Sequence, residues 1–230
     1  IWETPARALL LDPRIVFDSP IALFVSGLAD TLAKHVETRA AFARAEGPSV
    51  LGDIGALAAE RCGEQVRDLG AAAVEDMRRG ERSVAWTTLA EAAVITSGLV
   101  GSFGGARGRA TAAHPINDGL SALPRTRDLL HGVKVAYGVL VQLALEGQWE
   151  EIDALRELYG QLGLPRRLSD LGISAENAES LTAIAAVATG PHSSAHLLRP
   201  PPTADDIVAA IHALEIHQAL EADKTVLFEA

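Results

Sequence analysis

Two histidines and one aspartate in this sequence are of the types, and in the settings, that hold a divalent metal ion. His114 follows Ala112 and Ala113, and His131 precedes Gly132, so small neighbours leave each imidazole open to close approach. The two stand 17 residues apart, with Gly119, Ser121 and Pro124 between them. That pattern predicts one helix end, a turn, and the start of the next helix, a hairpin that can fold both imidazoles toward one point. Imidazole suits zinc, iron, copper or nickel, and a catalytic zinc site takes three protein ligands with a fourth position open. Asp30 is the candidate third ligand. It lies in an apolar run with Ile21, Leu23, Phe24, Leu28 and Leu32, where an unpaired carboxylate is costly to bury. Packed or surface histidines in alanine-rich helices are the competing account, and spacing alone leaves both open.

The elements that must position these residues read as helices. Ser19-Pro20 predicts an N-cap with proline at the first helical position, opening a helix to about residue 45. Asp30, Lys34 and Glu37 share a face of it, and His35 points away. A second helix, 51–79, shows an apolar stripe of Ile54, Leu57, Ala58, Cys62, Val66, Leu69 and Val74. The third, 83–101, is apolar on every side, which predicts an interior helix with Trp86 in the core. The glycine-rich run 101–108 lacks a preceding strand and a following Lys-Ser/Thr, so it is not a phosphate loop. Close backbone approach to a substrate or a neighbouring helix is the reading it supports.

Helices then follow around His114, at 131–146, 148–162 and 174–189, and from the Thr203–Asp206 cap to about 222. His192, His196, His212 and His217 show no pairing and read as structural or surface residues. The fold class is all-α, a helical bundle. Residues 8–11 read as a short strand, with 225–228 a weaker second one. A lone strand has no backbone partner, and the sequence begins with isoleucine. The expectation is therefore a piece of a larger protein. Residues 1–15 would be a terminal strand and linker from a missing N-terminal domain, and 16–230 a helical metal- and substrate-binding domain.

Bulk properties narrow the function classes. A net charge of −10, with acidic residues dispersed along helical faces, argues against nucleic acid as a partner. An apolar share of 48 % over 230 residues allows a sizeable core without disulfides. The single cysteine, Cys62, fits a reducing, cytoplasmic setting and reads as a small buried hydrophobe. No apolar run is expected to span a membrane. Alanine runs at 71–73 and 183–188 offer packing surfaces for homo- or hetero-oligomers.

Taken together, Ser26-Gly-Leu-Ala-Asp30, Ala112-Ala-His114-Pro-Ile-Asn-Asp-Gly119 and Leu130-His131-Gly-Val-Lys-Val-Ala-Tyr-Gly138 resemble the iron- or zinc-containing alcohol and polyol dehydrogenases. The similarity is strongest to the glycerol dehydrogenase branch and its hydroxycarboxylate dehydrogenase-like subgroup, and it extends from Leu9 to about Leu214. The resemblance implies a bundle like the dehydroquinate synthase-like α domain behind an N-terminal nucleotide-binding α/β domain. It implies Zn2+ or Fe2+ held by Asp30, His114 and His131. The metal would act as a Lewis acid on a substrate oxygen while hydride moves to NAD(P). NAD(P) itself would bind only through the domain absent here, on a missing segment or a separate chain.

Two departures from the family pattern stand out. Asn117 occupies a position where many relatives carry a second histidine, and Lys34 stands where the four-ligand branch has one. Asn117 and Asp118 are left as candidate catalytic residues that hydrogen-bond a substrate hydroxyl, with turn and capping roles an equal account. The leading reading is hydride transfer between NAD(P) and a polyol or a 2-hydroxy or 2-oxo acid, with the metal as Lewis acid. Two others stay open: a nicotinamide-independent, metal-dependent lyase, dehydratase, isomerase or cyclase, and a metal-free helical partner protein.

Overall fold

The computed structural model describes residues 6, 8–43, 49–105 and 110–228. Ten α-helices follow one another among them. They are α1 (Pro13–Phe17), α2 (Ile21–Phe42), α3 (Val50–Arg78), α4 (Val84–Glu91), α5 (Ser97–Gly104), α6 (Ala113–Ala122), α7 (His131–Leu145), α8 (Trp149–Leu162), α9 (Ala178–Ala188) and α10 (Ala204–Phe228). A π-helical stretch, Ala92–Thr96, joins α4 to α5 without a break. No strand occurs among the described residues, so the chain is all-α.

Short polar side chains set most helix starts. Ser49, Ser83 and Asn177 each accept a backbone N–H three residues on, at 3.1, 3.1 and 3.0 Å. Thr203 and Asp206 cap α10 reciprocally. Gly163 closes α8 in the left-handed conformation, with φ of 73°. The expected cap at Ser19 is not made. Its hydroxyl donates to Val16 O, ending α1, and Pro20 becomes the N-cap of α2.

Helix α7 runs through the middle, touching α2, α6, α8 and α10. Its residues from Val135 to Leu143 are buried without interruption. Tyr137 and Tyr159, Leu28 and Leu32, and Ile116 and Leu120 fill the space around it. Glu151 on α8 pairs with Arg39 of α2 and Arg67 of α3, at 2.8 and 2.5 Å, tying three helices together. Ala73, Ala185 and Ala188 of the alanine runs pack inside the chain.

Several sequence expectations are corrected. Residues 8–11 are irregular, and no strand lies beside them among the described residues. Residues 225–228 belong to α10, because no glycine or proline interrupts 204–228. In α3, Ala58, Cys62, Val66 and Val74 of the expected stripe are buried, but Ile54 and Leu57 face outward, and in its first half the buried face is made of Gly52, Gly55, Ala58, Ala59, Cys62 and Gly63. Small residues are needed there because the neighbours come so near. A Cβ on Gly55 would lie 2.5 Å from the backbone nitrogen of Gly104, the close helix approach expected of the glycine-rich run. Residues 106–108 of that run lie outside the described residues.

The helix expected in the interior is peripheral instead. Trp86, Leu89 and Val100 are buried, while Val84, Ile95 and Leu99 face outward. By length and composition Val84–Gly104 is also apolar enough to cross a membrane, contrary to the sequence expectation. Its inner face carries Trp86, in edge contact with Phe17 at 4.9 Å and beside Phe24 at 5.9 Å, so one face packs on the core while the other stays exposed.

Candidate metal centre

Three helices deliver one side chain each to a single point. Asp30 comes from the middle of α2, His114 from the first turn of α6, and His131 from the first position of α7. The Nε2 atoms of His114 and His131 lie 3.1 and 3.6 Å from Asp30 Oδ1. The imidazole rings are 5.3 Å apart between centroids, and one ligand atom from each residue falls within 4.8 Å of the others. The three residues singled out in the sequence are therefore brought together.

The chain ends one helix, turns and starts the next between the two histidines as the spacing predicts, and α6 opens at Ala113, just before His114. The reason lies in two buried polar side chains from other helices. Gln142 Oε1 accepts the backbone N–H groups of Ala112 and Ala113, at 2.9 and 3.1 Å. Glu37 Oε1 accepts those of Thr111 and His114, at 2.9 and 3.2 Å. The unpaired donors at the opening of α6 are thus satisfied from α2 and α7, and the turn begins where it is capped.

Glycine closes the other side. Gly132 donates its N–H to Ser26 Oγ at 3.0 Å, and a Cβ there would sit 1.8 Å from Ser26 O. Only a residue without a side chain lets α7 start against α2, and this contact sets where His131 points. Gly138 repeats the device one helical stretch on, where a Cβ would lie 2.3 Å from Ala113 O. Lys34, one turn after Asp30, pairs with it at 3.3 Å.

The electrostatics suit a cation. Burial works to raise the Asp30 carboxyl, but hydrogen bonds from His114 and His131 and the charge of Lys34 hold it well below the usual carboxylate range. It is therefore ionised at any working pH. Burial likewise opposes charge on His114, and Asp30 and Glu37 together overcome it, raising the imidazole to about 9. A site that gathers positive charge this strongly has the donor set of a divalent metal: one carboxylate and two imidazoles. An ion binding there would displace the imidazole proton.

The candidate catalytic pair divides. Asn117 is buried, and its amide donates to Asp118 at 3.1 Å. Asp118 is exposed and lines a cavity of about 610 Å³ together with His114, Pro115, Val187, His192 and Ser194. His192, read from the sequence as structural, belongs to this cavity wall. The other histidines have separate employment: His196 meets Gly190 O at 3.0 Å, and His217 meets Asp153 at 2.7 Å. Glu37 and Gln142 were not marked as site residues by the sequence. The signal for Glu37 is its place on one helix face with Asp30 and Lys34, and that for Gln142 an amide within an apolar run.

No known family model matches the chain. It is 30 % identical to hydroxycarboxylate dehydrogenase A of Escherichia coli (strain K12) over 219 residues, covering 95 % of this chain and 60 % of that protein. Glycerol dehydrogenase of Schizosaccharomyces pombe superposes with a TM-score of 0.84 at 28 % identity, covering 93 % of this chain and 55 % of that one. A probable glycerol dehydrogenase from Sinorhizobium meliloti 1021 gives a TM-score of 0.80 at 28 % identity, with 88 % and 57 % covered. The chain spans between half and two thirds of the length of these relatives. Over nearly all of its own length, in sequence and in fold, it is similar to glycerol and hydroxycarboxylate dehydrogenases.

Proposed function

We propose that this chain is the metal- and substrate-binding part of an NAD(P)-dependent dehydrogenase acting on a polyol or a small hydroxy or oxo acid. The observation that carries the reading is the convergence of His114 and His131 on Asp30 Oδ1, at 3.1 and 3.6 Å, from three separate helices. The relatives named above supply the reaction class. Their greater length supplies room for a nucleotide-binding domain, with residues 16–230 as the helical domain and 1–15 leading into it.

Asp30, His114 and His131 would hold Zn2+ or Fe2+. Bound there, the ion supplies Lewis-acid chemistry toward a hydroxyl or carbonyl oxygen. The chain's own residues do the rest. Asp30 contributes the fixed negative charge that draws the cation in. The cavity beside His114 is of a size that takes a small ligand, and its apolar wall of Pro115 and Val187 sheds water. Asp118 can accept a hydrogen bond from a substrate hydroxyl in that cavity, and Asn117 holds the Asp118 carboxylate in place.

Equilibrium dialysis against Zn2+ and Fe2+, followed by elemental analysis, tests the reading. One equivalent of metal per chain is expected, lost in His114→Ala. Absence of stoichiometric metal in the wild-type chain would favour a metal-free partner protein instead.

A further inference from the structure

Glu37 is the most deeply buried carboxylate near the centre, with 2 % of its side chain exposed. It belongs to neither the predicted ligand set nor the predicted catalytic pair. Burying a carboxylate among apolar side chains costs several kcal/mol unless its oxygens are satisfied, and here the two oxygens are used differently. Oε1 accepts the backbone N–H groups of Thr111 and His114, at 2.9 and 3.2 Å, which is helix capping. Among the described residues, Oε2 meets only His114 Nδ1, at 2.6 Å. That is as close as a strong hydrogen bond to a carboxylate comes. The opposite ring nitrogen, Nε2, is the one that faces Asp30.

We propose that Glu37 is the positioning residue of the metal centre. Its Oε2 keeps the proton on Nδ1 of His114, leaving the Nε2 lone pair free for the ion. The proposal rests on the metal-centre reading above. A carboxylate behind a ligating imidazole fixes the ring's tautomer and orientation and makes the free nitrogen a better donor. Capping alone would need one oxygen, and a glutamine would serve it equally well. The second oxygen distinguishes the two roles.

The test follows from that difference. Glu37→Gln keeps the carbonyl oxygen for the backbone N–H groups but turns an amide N–H2 toward Nδ1. The imidazole proton is then driven to Nε2, where it blocks the metal. In the 230-residue chain, Zn2+ affinity measured by competition with a chromophoric chelator is expected to fall about 10–100-fold, with helical content by circular dichroism unchanged. Long-range 1H–15N spectra of the zinc-loaded wild type should show the His114 proton on Nδ1 and the metal shift on Nε2. Wild-type zinc affinity in Glu37→Gln, within twofold, would overturn the proposal. So would a proton on Nε2 with zinc on Nδ1, a result that needs only the wild type and holds even where the variant fails to fold. Should the wild-type chain take up no zinc, the metal-centre reading fails first and this inference falls with it.

Discussion

At Asp30 Oδ1, two imidazoles and an ammonium from Lys34 meet one carboxylate oxygen, at 3.1, 3.6 and 3.3 Å. Glu37 adds a second carboxylate behind His114, at 2.6 Å from Nδ1. A metal ion on the Nε2 atoms would take the place of any proton held there. His131→Ala removes a ligand outright, so its loss of zinc affinity should exceed the roughly 10–100-fold of an outer-partner change; isothermal titration measures it. Nearby, Cys62 illustrates the opposite environment. Burial pushes its thiol up to about 12, opposed by the charge of Lys34 and assisted by that of Asp30. At pH 8 only about one molecule in ten thousand carries the thiolate, the nucleophilic form. An aromatic disulfide reagent should therefore leave Cys62 unmodified in the folded chain, with the rate rising about tenfold per pH unit. Rapid stoichiometric labelling at pH 8 would contradict the burial. Asp30, His114 and His131 were legible in the sequence because each is a ligand type in an apolar or small-residue setting. Glu37 was legible only as a neighbour of Asp30 on one helix face, and its pairing with His114, 77 residues away, is made by the fold.

Among the elements, glycine decides where helices meet. The 1.8 Å approach to Ser26 O at Gly132 makes Gly132→Ala incompatible with the present contact of α7 and α2. That substitution should displace His131 and weaken zinc binding at least tenfold, read by the same titration. Gly27→Ala lies on the same helix as Ser26 with nothing within 4 Å of the added carbon. It should leave metal binding intact and stabilise the fold by about 0.5–1 kcal/mol through helix propensity, read from urea unfolding. Trp86, fully buried against Phe17 and Phe24, predicts a cost of about 3–5 kcal/mol for Trp86→Ala in the same experiment. Helix positions in this chain were largely readable from caps and breakers such as Ser49, Ser83 and Gly163. Helix faces were less so. In α3 the glycines and alanines turn inward, while the larger Ile54 and Leu57 turn outward. A hydrophobic stripe assumes that the largest apolar residues are inside, and close packing of backbones reverses that order.

The molecule as a whole is a helical body built on α7, with the candidate centre where α2, α6 and α7 come together. Its relatives are longer by the remaining 40–45 % of their length. On the proposed reading, nicotinamide binding resides in that remainder. The 230-residue chain should then bind zinc but bind NAD(P)H no tighter than about millimolar by fluorescence titration. Micromolar NAD(P)H binding would contradict a divided site. The all-α class could be read from helical periodicity, and the meeting of Asp30, His114 and His131 could be anticipated from their residue types and settings. The terminal strands could not, because a short apolar run is ambiguous until a partner strand is seen or excluded. The central claim is that Asp30, His114 and His131 hold one metal ion, and anomalous diffraction at the zinc edge from crystals grown with Zn2+ tests it most directly. The account predicts a single strong peak about 2.0–2.2 Å from an Asp30 oxygen and from Nε2 of both histidines. A peak elsewhere, or none at this position, would contradict it.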